Sequence, residues 1–133
     1  MKEEFQSMYN EYMGLVQQFQ QLQQNINSLD KHINDLNELN NNIDNITETK
    51  INSETLIPMG NGIFLFGEIK DNKKALMNVG ANVCVEKDLI EVKTNIEKQV
   101  NETGSLLMQM QEYARESVNR INELQEHLKE HKE

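Results

Sequence analysis

His127 and His131 stand four residues apart, with Glu123 and Glu130 beside them. On a helix that spacing sets two imidazoles on one face, a geometry able to ligate zinc. The surroundings are charged on all sides and the metalloprotease pattern is missing, so the expectation is a solvated helix tail without metal. His32 reads as a surface residue. Cys84 has no base near it in sequence and reads as a small strand hydrophobe rather than a redox centre. Gly60-Asn61-Gly62 is not a phosphate loop, because no Gly-Lys-Ser/Thr follows it. No paired carboxylates, no Ser/His/Asp set and no ligand cluster stand out. The expectation is no enzyme, no catalytic residue and no cofactor.

The elements carrying these residues are far more informative. Phe5, Met8, Tyr12, Leu15, Phe19, Leu22, Ile26, Leu29, Ile33, Leu36, Asn40 and Ile43 alternate steps of three and four without a break. So do Leu89, Lys93, Ile96, Val100, Thr103, Leu107, Met110, Ala114, Ser117, Ile121, Leu124 and Leu128. Both are heptad stripes. Folded back on each other they match rung for rung: Phe5 with Leu128, Leu15 with Ser117, Ile26 with Leu107, Ile43 with Leu89. The pattern predicts a long antiparallel two-helix coiled coil, with a first helical arm in residues 1–52 and a second in 88–133. The first ladder spans about 58 Å at 1.5 Å per residue. Asn40 and Lys93 oppose each other in the seam, as a register-fixing polar pair or as a point where the coil frays.

Composition agrees with an elongated fold. The chain has 133 residues, 37% hydrophobic, with no Trp, which is little apolar mass for a compact globule of that length. The net charge is −9. Residues 1–52 hold eight acids and three bases, 53–87 four of each, and 88–133 ten and six. Acidic arms and a neutral centre disfavour nucleic acid and anionic membranes as partners. A lone cysteine, no apolar run able to span a bilayer and no signal-peptide pattern suggest a cytoplasmic protein.

Between the arms, residues 53–87 change period. Four short apolar runs, Thr55–Met59, Ile63–Phe66, Ala75–Val79 and Val83–Glu86, are separated by Gly60-Asn61-Gly62, the polar stretch Lys70–Lys74 and Gly80-Ala81-Asn82. The segment repeats itself at an offset of 20, with Leu56 on Leu76, Gly60 on Gly80, Ile63 on Val83 and Leu65 on Val85. Two similar β-hairpins follow. Pro58 requires an edge or a bulge. Asp88, with Glu91 three residues on, suits the start of the second helix.

The fold class is therefore α+β, and its packing is incomplete. The arms satisfy each other, whereas isolated two-stranded hairpins are marginal in water. Leu56, Ile57, Ile63, Phe64, Leu65 and Phe66, with Leu76, Val79, Val83 and Val85, need strands from other chains. An intersubunit β-barrel would supply them and remove the open edges; residues 53–87 are thus expected to be the oligomerisation body.

Ser53-Glu-Thr-Leu-Ile-Pro-Met-Gly-Asn-Gly62, Gly67-Glu-Ile-Lys-Asp71 and Met77-Asn-Val-Gly-Ala-Asn-Val-Cys-Val-Glu-Lys87, set between the two arms, resemble the alpha class of prefoldin subunits. Gly80-Ala81-Asn82 departs from the expected second glycine, although Asn tolerates a left-handed backbone. The resemblance implies an archaeal-type, ATP-independent chaperone. It implies a hexamer of two alpha-class copies and four beta-class subunits, holding unfolded client proteins for a group II chaperonin. A gamma-type relative of that class forms homomeric filaments, and this alternative stays open. The client contacts expected are at the end of the coil where the two termini meet: Phe5, Met8, Tyr9, Leu124 and Leu128.

Overall fold

The computed structural model describes residues 2–130. Helix α1 runs over Lys2–Glu48 and α2 over Leu89–Glu130. Between them lie strands β1 (Glu54–Gly60), β2 (Ile63–Glu68), β3 (Lys74–Gly80) and β4 (Val83–Asp88). No helix among the described residues is long and apolar enough to cross a membrane.

Every rung of both heptad ladders is buried or half-buried, and nearly every other helical position is exposed. The abundant amides lie on the outside. Gln6, Gln21 and Gln23 each donate to an asparagine four residues on, at 3.1, 3.2 and 3.3 Å. Such i,i+4 amide pairs support a helix surface that charge pairs cover only sparsely.

The chain divides into two compact units, residues 1–34 with 102–133, and Asp35–Asn101. In the first, Ile26, Ala114, Ser117 and Leu124 are buried. Arg120 spans its two helices: Nε and a terminal nitrogen donate to the two Glu11 carboxylate oxygens at 3.0 and 3.2 Å. The other terminal nitrogen reaches Glu123 at 3.1 Å. This fork places residue 11 beside residue 120, one residue from the register that the ladders predict.

In the second unit, Leu36 and Ile43 of α1 and Leu89 and Ile96 of α2 form one core cluster, flanked by Ile46, Ala75, Val92 and Val100. The seam's polar rung differs from expectation in detail. Lys93 bonds Asp44 rather than Asn40, because a four-carbon stem carries its ammonium off the seam towards a carboxylate. The Asn40 Oδ1 is left buried without a partner.

α1 stops at Glu48, four residues before the expected limit of the first arm. Thr47 and Thr49 turn their hydroxyls back onto the carbonyls of Asp44 and Asn45, at 2.9 and 2.6 Å. Asn52 then adopts φ 71°. Side-chain bonds to backbone of this kind compete with helix continuation.

Candidate assembly and client-binding surfaces

Each hairpin is a separate two-stranded antiparallel sheet, β1 with β2 and β3 with β4. Their registers are copies of each other. Thr55 faces Gly67 as Ala75 faces Lys87, Ile57 faces Leu65 as Met77 faces Val85, and Gly60 faces Ile63 as Gly80 faces Val83. The register slips at Pro58/Gly60 and again at Asn78/Gly80. The 20-residue repeat is thus structural, and Pro58 sits at the irregularity its missing N–H requires. Both turns have positive φ at the two central residues, 51° and 77° at Asn61-Gly62, 49° and 61° at Ala81-Asn82. Those are type I′ turns, whose twist matches paired strands. Ala81 holds a conformation that suits Asn or Gly better.

The linker ties both hairpins to the helices. Asn52 N–H donates to the Ile69 carbonyl at 2.7 Å, and Ile69 N–H to Ser53 at 3.0 Å. The Asn72 amide donates to Thr49 O at 2.9 Å. Leu89, the first residue of α2, donates its N–H to Lys73 O at 2.7 Å. The Asp71 carboxylate accepts from the Lys73 and Lys74 amides at 2.8 and 3.1 Å, and the first of these bonds is the main cause holding its carboxyl below the usual range. Lys93 is pushed above the usual lysine range, chiefly by its hydrogen bond to Asp44.

All ten residues expected to drive oligomerisation, Leu56, Ile57, Ile63, Phe64, Leu65, Phe66, Leu76, Val79, Val83 and Val85, are exposed in the single chain. Only the roots of the hairpins are covered. Ala75 packs on the helical cluster, and Met77 with Lys87 borders a cleft shared with Leu36, Leu39, Val92 and Ile96. In the first hairpin Gly67 makes room for a neighbour: a Cβ there would meet Ile57 Cδ1 at 2.7 Å.

At the other unit's end the expected client residues divide. Tyr9 is 44% exposed, whereas Leu124 is 1% exposed and the most completely enclosed side chain described. Phe5, Met8 and Leu128 are half-buried. His127 lies near the end of α2, and His131 is outside the described residues. No group of three or more His, Cys, Asp or Glu among the described residues is placed to hold a metal. Cys84 is free and exposed on β4.

Periodicity missed a second set of exposed apolar residues, among them Ile90 at 79%, Met108 and Tyr113. Leu106 and Tyr113 each precede a seam rung by one residue, seven apart. That recurrence was the available signal.

A helix–hairpin–hairpin–helix chain that leaves both hairpins uncovered is, by its packing, a subunit built for association. It belongs to the prefoldin subunit family, whose family model matches residues 15–132. Its relatives are of the alpha class. Prefoldin subunit alpha of Methanococcus aeolicus is 33% identical over 70 residues, covering 50% of this chain and 49% of the relative. Prefoldin subunit alpha 1 of Methanocaldococcus jannaschii is 34% identical over 87 residues, covering 65% and 61%. The chain spans about half the length of the curated relatives it matches first. Among solved structures, the filamentous PFD of Methanocaldococcus jannaschii is similar in fold, with a TM-score of 0.72 at 20% identity over 86% of this chain and 96% of that one.

Proposed function

We propose that this chain is a non-enzymatic subunit of an ATP-independent chaperone, working in the cytoplasm. Its hairpins pool with those of a second copy and of beta-class subunits into a hexamer. The far end of the coiled coil holds unfolded proteins and passes them to a group II chaperonin. The observation carrying this reading is the exposure of ten apolar hairpin residues, each between 40% and 85%, more than a monomer keeps in water. Client capture rests on the exposed Tyr9 with half-buried Phe5, Met8 and Leu128; Leu124 joins them when the last turns open. Flexible methionine and aromatic surface suits clients of varied sequence.

Native mass spectrometry of the chain, alone and mixed with a beta-class subunit, tests the assembly. A discrete hexamer in the mixture is expected, and a chain that stays monomeric in both refutes the reading. Removing residues 1–9 and 124–133 tests the client surface. Aggregation of a denatured client should then proceed as without chaperone, while the oligomer mass changes only by the residues removed.

A second reading is a homomeric filament. It is favoured by the likeness in fold to a filamentous PFD, and long fibres from the chain alone would establish it.

A further inference from the structure

The two hairpin turns share a backbone but not a chemistry. One is Asn61-Gly62 and the other Ala81-Asn82, all with positive φ. An asparagine side chain is open to attack by the main-chain nitrogen of the residue after it. The attack needs a free nitrogen, little side-chain bulk beside it, and a backbone that brings it to the amide carbon. Asn61-Gly62 is the one Asn-Gly step in the chain, so bulk is least there. Among the described residues no carbonyl takes the Gly62 N–H. Asn61 is exposed, and nothing lies within 4 Å of where a Gly62 Cβ would stand.

The other asparagines are restrained. Most lie in α1 and α2, where the following nitrogen is engaged in the helical hydrogen-bond ladder. Outside the helices each has its own restraint. Asn52 precedes Ser53, whose N–H donates to Lys50 O at 3.2 Å. Asn72 donates to Thr49 O at 2.9 Å, and the Lys73 N–H after it donates to the Asp71 carboxylate at 2.8 Å. The Asn78 side chain accepts from the Gly80 N–H at 3.0 Å. Asn78 and Asn82 both precede valine, whose branched Cβ crowds the attacking nitrogen.

The turn also supplies the geometry. A five-membered ring closes when the following nitrogen eclipses the asparagine Cβ, at ψ of about −120°, which is the value at the first central residue of a type II′ turn. Asn61 already holds φ 51°, and types I′ and II′ share a positive φ at that position. Turning over the single peptide between Asn61 and Gly62 converts one type into the other. Gly62 accepts the change of sign in its own φ. The pairing of Gly60 with Ile63 survives, because both types close two-residue hairpins.

We infer that Asn61-Gly62 is a self-modification site, at which the first hairpin's turn converts Asn61 to isoaspartate and aspartate. The Gly62 nitrogen bonds to Asn61 Cγ and gives up its proton to water. The Cγ–Nδ2 bond breaks, and the departing nitrogen takes up a proton and leaves as ammonia. Water then adds to one of the two ring carbonyls of the succinimide. Opening on one side restores the normal backbone as aspartate; opening on the other routes the backbone through Cβ as isoaspartate. No electrons are exchanged and water is the only co-reactant. Either product puts a negative charge on a hairpin that has none between Glu54 and Glu68. Isoaspartate also lengthens a two-residue loop by one backbone carbon, and loop length fixes strand register. The product is the substrate class of carboxyl methyltransferases that act on isoaspartyl links. This chemistry is independent of the association proposed above.

The test incubates the full chain at mildly alkaline pH. Peptide mass spectrometry locates each amide-to-acid conversion, and methyl transfer from S-adenosylmethionine by an isoaspartyl methyltransferase measures the isoaspartate. Conversion at Asn61 should run about tenfold or more faster than at Asn52, the rate equivalent of the hydrogen bond that Ser53 must first give up. A chain carrying the second hairpin's turn in the first, Asn61→Ala with Gly62→Asn, should gain no isoaspartate there. Urea well below the unfolding midpoint should leave the wild-type rate unchanged, and in the isoaspartyl fraction amide exchange should quicken in β1 and β2 but not in β3 and β4. Absence of conversion at Asn61, or equal conversion at Asn52, overturns the inference. A rate that climbs with urea in that range also overturns it, since the reaction then belongs to an opened chain and not to the turn.

Discussion

Asn40 is the place where the seam can be improved, and the improvement is calculable. Its Oδ1 is buried without a hydrogen-bond partner, which costs about 1–3 kcal/mol. The neighbouring rungs Leu36 and Ile43 are both in the core cluster. A shallow groove bordered by Asn37, Glu97, Val100 and Asn101 lies beside it, so a larger side chain has space and overpacking is small. Asn40→Leu should recover the orphan penalty and add about 1–2 kcal/mol of apolar burial, for a total of about 2–4 kcal/mol. At about 3 °C per kcal/mol for a chain of this length, Tm rises by about 6–12 °C. Asn40→Ala removes only the orphan and should gain about 1 kcal/mol. The assay is thermal unfolding by circular dichroism at one fixed subunit concentration, because association shifts apparent stability. A fall in Tm for both variants would refute the reasoning, as it would mean that the amide is satisfied and supports the seam.

Ala81→Asn should stabilise the second hairpin by about 0.5–1 kcal/mol by easing a left-handed alanine, visible as slower amide exchange in β3 and β4. Gly67→Val forces Ile57 aside from a 2.7 Å approach and should cost about 1–3 kcal/mol, read from the urea midpoint. Leu124→Ala should cost about 2–5 kcal/mol while Tyr9→Ser stays near neutral; in a client-aggregation assay Tyr9→Ser nevertheless loses protection if the coil's end binds clients. Asp71 has a folded pKa below its ordinary value. Its contribution is therefore present above the ordinary carboxylate pKa and lost as pH falls through the lowered one. Protection of the Lys73 and Lys74 amides should fade over that acid window and be pH-independent in Asp71→Asn. Lys93 shifts upwards, so on the alkaline side the contribution of its bond to Asp44 is present below the ordinary lysine pKa and is lost as pH rises through the raised one.

The helices were legible because their stripe is written in residue type at a fixed period, and burial follows that stripe at every described rung. The hairpins were legible for a second reason, an offset-20 repeat that the registers reproduce residue for residue. What escaped has no period. Lys93 occupies a seam rung, but where its ammonium lands depends on a neighbouring carboxylate. The end of α1 is set by two threonine hydroxyls acting on local carbonyls. Leu124 looks like any other rung in sequence, yet it is the most enclosed side chain described. The difference between Phe66 in β2 and Glu86 in β4 needed the register: only when the two are known to hold equivalent positions does it become a statement about surroundings.

The balance of buried and exposed apolar side chains bears on how the chain can be stable at all. The buried hydrophobic side chains described are six seam aliphatics and one alanine, a small interior for two helices of 47 and 42 residues. More large apolar side chains stand on the hairpins in water than lie fully buried in the seam. Burying them against other chains is worth roughly 25 cal/mol per Å², so the proposed association would add to stability, and the chain's unfolding midpoint should rise with its own concentration. A variant with polar residues at the exposed hairpin positions would still form its seam, and its unfolding midpoint should no longer depend on concentration.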